Sequence, residues 1–263
     1  MIEPYRFTTG TTPLLVSCPH VGTHIPAEIA ARMTGAAQEL ADTDWHIERL
    51  YDFARDLGTS MLVATHSRYV VDLNRPPDGS ILYAGANNTE LCPTTRFDLK
   101  PVYKDGEAPG EAEIADRVRR YWRPYHDRLT VELKALKARF GYALLWDAHS
   151  IASMVPRFHP TKLWDLNLGS ADGASAAKPL IEATSAICRS ASPYTAAIDG
   201  RFKGGHITRA YGRPAEGVHA IQLELSQATY MEEAPPYRWR DDLADGVRPT
   251  LKRLIETMLA FRP

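Results

Sequence analysis

Three apolar runs in this chain each end in, or carry near their end, an ionisable side chain, and no other feature constrains the fold as strongly. They are Leu14-Leu15-Val16-Ser17-Cys18-Pro19-His20, Ala143-Leu144-Leu145-Trp146-Asp147-Ala148-His149-Ser150 and His219-Ala220-Ile221-Gln222-Leu223-Glu224-Leu225. Short runs with so little polar alternation read as strands covered on both faces. Asp147 and His149 stand two residues apart, so both point to the same side of their strand. Burying a carboxylate and an imidazole is costly unless something pairs with them. At the carboxyl end of a strand in an α/β sheet, a ligand or a metal often fills that role. Three strands that each deliver an ionisable group toward one place argue for an enzyme.

The remaining chain supplies elements to cover such a sheet. Residues 44–57 carry Ile47, Leu50, Phe53, Ala54 and Leu57 at helical spacing, with Gly58 as the stop. Met61-Leu62-Val63-Ala64 and Tyr69-Val70-Val71-Asp72-Leu73 read as further strands. Residues 75–110 hold prolines, glycines and few periodic apolar positions, so an irregular segment lying over the site is expected. Helical periodicity then runs from Glu111 to Phe140, with a kink or break expected at Pro124. A helix is expected near 172–191, kinked at Pro179, and another from about 240 to 260. Strands alternating with helices predict a single α/β domain over residues 1–263, with a mixed, mostly parallel sheet and helices on both faces.

Composition narrows the function. The 263 residues are 44% hydrophobic and 24% charged, with a formal net charge of -1. That balance offers no field to recruit nucleic acid or an anionic membrane. No apolar run is long enough to span a bilayer, and Met1-Ile2-Glu3-Pro4-Tyr5-Arg6 lacks the start of a signal peptide. Cys18, Cys92 and Cys188 are odd in number and widely spaced, which indicates neither a disulfide framework nor a zinc finger. A cytoplasmic protein, monomeric or a small homo-oligomer, is expected.

Several residues then read as chemistry. His20 and His149, both at strand ends, with one carboxylate, would leave a coordination position for water on zinc, as catalytic sites do. The third ligand is expected within Asp42-Thr43-Asp44-Trp45-His46, with Asp44 preferred and Asp42 and His46 as alternatives. A helix N-cap is the plainer role for either aspartate. Imidazole and carboxylate donors suit other divalent metals too. Glu224, on an apolar strand, fits a general base of raised pKa that takes a proton from water. Asp147 fits a brace on the nearby imidazole, or a plain hydrogen-bond acceptor. Asn74 and Arg75, closing an apolar run, suit a substrate carboxylate held by two hydrogen bonds. The stretch from Gly200 to Arg209 adds Arg201, Lys203 and Arg209 on a glycine-rich backbone, and His126 beside Pro124 is placed to line a pocket. Nucleophilic catalysis is disfavoured. There is no Gly-x-Ser-x-Gly elbow, and Asp147, His149 and Ser150 lie too close together for a triad.

Taken in order, Val16-Ser17-Cys18-Pro19-His20-Val21-Gly22, Asp42-Thr43-Asp44-Trp45-His46, the segment from Ser67 to Pro76, Tyr121-Trp122-Arg123-Pro124-Tyr125-His126, Trp146-Asp147-Ala148-His149-Ser150, the segment from Gly204 to Gly212 and Gln222-Leu223-Glu224-Leu225 resemble the N-formylglutamate amidohydrolases. The resemblance spans nearly the whole chain. It implies hydrolysis of N-formyl-L-glutamate to formate and glutamate at the end of histidine degradation. A more distant likeness to zinc carboxypeptidases implies their fold, shared with phosphorylase and hydrolase relatives. It also implies a zinc held by His20, Asp44 and His149, and Glu224 as base. Thr23 stands where that pattern has its glutamate ligand, so the carboxylate must come from elsewhere. On the same resemblance Asn74 and Arg75 hold one substrate carboxylate, and Arg209 or Arg201 the other. A metal-dependent deacylase or carboxypeptidase of different acyl specificity is the rival reading, and a non-catalytic zinc-binding protein a weaker one.

Overall fold

The computed structural model describes residues 2–81 and 88–263. Four of the apolar runs become neighbouring strands of one seven-stranded sheet. β1 is Tyr5–Thr8, β2 Leu14–Cys18, β3 Ser60–Ala64, β4 Ala143–Ile151, β5 Leu166–Gly169, β6 Ala196–Ile198 and β7 Val218–Ser226. Their order is β1-β3-β2-β4-β7-β5-β6. The centre, β3-β2-β4-β7, is parallel throughout. β1 runs antiparallel to β3 on one edge, and β5 antiparallel to β7 before pairing in parallel with β6. The expected mixed, mostly parallel sheet is what the chain forms.

Alternation along the central strands divides the core between two faces. Leu14, Val16, Leu144, Trp146 and Ile221 pack with residues of the helices Lys178–Ser190 and Asp241–Ala260. Leu15, Leu145 and Ala220 face the other way, onto Tyr125, Leu129, Leu133 and Leu136 of the helix Arg123–Phe140. Helices therefore cover both faces, and the parallel centre is buried as parallel sheets require. Asp147, His149, Gln222 and Glu224 continue the second face, in step with Leu145 and Ala220, toward the carboxyl ends of β4 and β7.

Several local expectations are corrected. Tyr69–Leu73 is not a strand. Its backbone turns, with Val70 N–H donating to the Ser67 carbonyl and Asp72 N–H to that of Leu91, while its apolar side chains still enter the core. Burial explains the apolar composition without a ladder. Residues 44–57 form two helical turns, Ile47–Leu50 and Phe53–Asp56, rather than one helix, and His46 before them has φ 61°. At Pro124 the interruption takes the form of a π-helical turn, Val118–Trp122, between Glu111–Arg117 and Arg123–Phe140. Proline lacks the N–H that would close a regular turn there. Pro179 opens its helix instead of kinking it, a position where the missing N–H has no partner to lose. β1, β5 and β6, of three or four residues each, went unread. The irregular segment after Arg75 has no helix or strand among its described residues.

Candidate active site

Two histidines and an aspartate converge at the carboxyl ends of β2 and β4. His20 follows β2, His149 lies near the end of β4, and Asp44 is brought to them by its own N–H, which donates to the His20 carbonyl at 3.0 Å. One donor atom from each of His20, Asp44 and His149 can be chosen so that all lie within 4.8 Å of one another, and all three residues are buried. Nδ1 of His149 is 3.0 Å and Nδ1 of His20 3.7 Å from Oδ2 of Asp44. Both imidazoles thus turn the same nitrogen toward one carboxylate.

Their far nitrogens are braced by two further carboxylates. Nε2 of His20 meets Oδ1 of Asp72 at 2.7 Å, and Nε2 of His149 meets Oδ2 of Asp147 at 3.1 Å. A carboxylate behind each imidazole fixes the ring and raises its basicity, the usual support for a metal-binding histidine. The donor set suits a divalent ion such as zinc. Asp42 and His46, the alternatives for the third ligand, are turned elsewhere. Asp42 accepts the Phe97 N–H at 2.8 Å, and His46 Nε2 meets the Tyr237 carbonyl at 2.7 Å.

Arg68 had no place in the sequence reading and is central here. Its Nη2 lies 2.6 Å from His20 Nδ1 and 2.7 Å from Asp44 Oδ1, while its guanidinium sits 5.0 Å from the centre of the Phe97 ring. Burial alone would push Asp44 up, but Arg68 and the two imidazoles outweigh it and leave the carboxyl below its ordinary range. Asp72 and Arg68 both sit within or beside the apolar run at 69–73. A charge inside such a run is a signal in its own right, because it is buried only with a partner.

Glu224 faces this group from the adjacent strand, its Cα paired in register with that of His149. Burial pushes its carboxyl up to about 8, and the nearby Asp44 and Asp147 add to the effect, while His149 and Arg68 oppose it. A carboxyl of that kind is poised to exchange a proton near neutral pH.

A cleft opens over these residues. His20, Arg68, His149 and Glu224 line it together with Asn74, Arg75, Gly205 and Gln222. Phe97, Phe158, Arg201 and Phe202 complete the part of the lining that bears on binding. Arg75 is fixed through Nε to the Thr89 carbonyl and Nη2 to the Thr89 hydroxyl, at 3.2 and 2.6 Å. Arg201 is anchored by Nε to the Phe158 carbonyl at 3.0 Å and lies beside both phenylalanine rings.

Three other expected substrate contacts are placed as follows. Arg209 is not among the residues lining the cleft, and its Nε donates to the Gly204 carbonyl. His126 does not line it either. The imidazole stacks on Trp122 with centroids 3.5 Å apart, and its Nε2–H donates to the Leu73 carbonyl at 2.8 Å. Since Trp122 Nε1–H donates to the Arg75 carbonyl, this pair holds the backbone that carries Asn74 and Arg75. Asn74 lines the cleft, but its Oδ1 accepts the Ile207 N–H at 2.8 Å and its Nδ2 faces His149 Nε2 at 3.0 Å. Gly205 packs so closely on that amide that a Cβ would lie 2.2 Å from Nδ2.

Fold and cleft together describe an α/β protein of the amidohydrolase class, and comparison with known proteins makes the class specific. The chain belongs to the N-formylglutamate amidohydrolase family, which it matches over residues 12–231. It is 50% identical over 261 residues to the N-formylglutamate deformylase of Pseudomonas aeruginosa, covering 99% of this chain and 98% of that one. The N-formylglutamate deformylase of Pseudomonas putida is 49% identical over 261 residues, 99% of this chain and 97% of its own. Among solved structures, N-formylglutamate amidohydrolase from Ralstonia eutropha JMP134 superposes with a TM-score of 0.81 at 26% identity, over 98% and 96% of the two chains. A gene product of Agrobacterium tumefaciens shares the fold, with a TM-score of 0.74 at 16% identity over 98% and 95%.

Proposed function

We propose that this protein hydrolyses N-formyl-L-glutamate to formate and L-glutamate with the help of a divalent metal, zinc first among candidates. The observation that carries the reading is Glu224, a half-buried carboxyl on the strand beside His149, facing a His20–Asp44–His149 group in a cleft lined by three guanidinium groups. Zinc held by those three side chains would supply Lewis-acid polarisation of the formyl oxygen and a lowered water pKa. Glu224 takes a proton from the attacking water as its oxygen bonds to the formyl carbon. The C–N bond then breaks, and the same carboxyl returns the proton to the departing nitrogen. Arg68 offers positive charge to the oxygen on which negative charge develops. Arg75 and Arg201 receive the two substrate carboxylates, an arrangement suited to a dianion. Asp72 and Asp147 keep the imidazoles aimed.

No helix among the described residues is long and apolar enough to cross a membrane. The same reading places the enzyme in the cytoplasm, in histidine degradation, as a monomer or small homo-oligomer acting on a small molecule. Formate release from N-formyl-L-glutamate, measured for zinc-loaded and chelated protein, tests it. Activity in the loaded sample alone is expected. A verified loaded protein that releases no formate from this substrate would overturn the substrate assignment, and undiminished activity after complete chelation would overturn metal dependence.

A further inference from the structure

Gln222 had no role in the sequence reading beyond its strand. On β7, Leu223 and Leu225 enter the core under the C-terminal helix, whereas Gln222 and Glu224 share the opposite face. The Gln222 Cα pairs with that of Asp147, two residues before the His149–Glu224 pair. The residue is 3% exposed, and it lines the cleft.

Its amide has a defined orientation. The Gly205 N–H donates to Oε1 at 2.7 Å, which assigns oxygen to that end and the NH2 to the other. Among the described residues, no hydrogen bond is made by that Nε2, yet it is not one of the fully enclosed polar atoms that lack a partner. Buried amide donors are seldom left unpaired, so a donor that reaches a cleft calls for an acceptor delivered from the cleft. Asn74, the neighbouring amide, has its oxygen committed to Ile207 N–H and its nitrogen turned toward His149 and Asp147. Of the two amides that meet Gly205, the one that remains for a substrate is therefore that of Gln222.

We propose that Gln222 is a substrate-binding residue whose Nε2–H donates to the carboxylate that Arg75 receives. A carboxylate oxygen only accepts, so it matches an amide nitrogen and not an amide oxygen. The assignment rests on the proposed reaction for its substrate class, an N-acyl amino acid. It goes further in making β7 supply both the proton-transfer group and a determinant of substrate affinity, two residues apart.

Two substitutions separate this role from support of the fold. Gln222→Glu keeps an oxygen to accept the Gly205 N–H but replaces the donor that faces the cleft. Gln222→Met removes both. With metal-loaded protein, Gln222→Glu is expected to raise KM for N-formyl-L-glutamate at least tenfold, with kcat changed less than about threefold and the unfolding midpoint near that of the parent. If Gln222 only supports Gly205, Gln222→Glu will keep the parental KM while Gln222→Met alone raises it, and that pattern overturns the proposal. Titration calorimetry with L-glutamate gives a readout independent of turnover. Binding to the parent that weakens at least tenfold in Gln222→Glu supports the assignment even if the parent proves inactive on the formyl substrate, in which case the proposed reaction alone fails. Equal affinities, or no binding to the parent, overturn the assignment. Should Gln222→Glu not fold, unchanged L-glutamate affinity in Gln222→Met is the overturning result.

Discussion

His149, Gln222 and Glu224 line the cleft from β4 and β7, with Asp147 behind His149, and the pairing of these strands is continuous from Ala143 with Val218 to Ile151 with Ser226. Arg68, Asn74, Arg75, Phe97, Phe158 and Arg201 line it from segments without helix or strand and are held individually. Arg75 hangs on Thr89, Arg201 on the Phe158 carbonyl, and Phe97 on Asp42. Asp72 Oδ1 accepts the Asn74 N–H at 2.8 Å while also bracing His20. The strand wall fixes its side chains through a ladder that a single substitution does not undo. The loop wall fixes each group by one or two bonds, so its geometry is easier to alter without loss of the fold. In the proposed reaction the proton-transfer group sits on the first and the carboxylate-binding guanidiniums on the second, the division by which a scaffold holds chemistry constant while specificity varies.

The largest effect should come from the strand wall. Glu224→Gln is expected to lower kcat on the order of 10³-fold while metal content, measured by atomic absorption, stays at the parental level. Retained activity would assign proton transfer to another group. A smaller effect compares the walls directly, because each imidazole has one brace: Asp147 from β4 and Asp72 from the loop. Asp72→Asn and Asp147→Asn should each weaken metal affinity by about 10- to 100-fold in competition with a chromogenic chelator. The loop variant should in addition increase KM, since Asp72 also holds the Asn74 backbone. Equal KM in the two variants would break the proposed distinction.

What was legible in the sequence follows the same division. His20, His149 and Glu224 could be read because strand periodicity states which way a side chain points, and three runs with ionisable ends must meet if their strands are neighbours. Asp44 was readable only as one of three, since nothing in Asp42-Thr43-Asp44-Trp45-His46 encodes that the Asp44 N–H reaches the His20 carbonyl. Arg68 and Asp72 are not legible because the apolar run beside them has the composition of a strand, whose alternation would set their directions wrongly. Arg201 and Arg209 are chemically alike and eight residues apart. Only the fold shows that Arg201 lines the cleft, whereas Arg209, on the helix His206–Tyr211, donates through Nε to the Gly204 carbonyl. The short strands β5 and β6 carry too few residues for any period to emerge.

That pair of arginines offers the next test. Arg201→Met should raise KM for N-formyl-L-glutamate by about tenfold with little change in kcat, as for loss of one charge-assisted contact. Arg209→Met should leave both within about twofold. The reverse ranking would return the second carboxylate to Arg209.

The smallest expected effect probes how the loop wall is held from beneath. His126 is buried neutral under Leu73, its pKa lowered to about 3 by burial, although the bond to the Leu73 carbonyl acts in the opposite direction. With the unfolded-state value at about 6.5, the unfolded chain binds the proton first as pH falls. This group therefore adds nothing to pH dependence above about 6.5, and below it stability declines until the folded pKa is reached. The slope it contributes is at most about 1.4 kcal/mol per pH unit. His126→Phe retains a ring to stack on Trp122 and removes the titration. Urea unfolding of parent and variant between pH 4.5 and 6.5 should give a shallower slope for the variant, and an increase in KM where Asn74 and Arg75 lose their support. Parallel slopes would mean that His126 binds its proton equally in the folded and unfolded chains over that range, and the wall would then owe its acid sensitivity to other groups.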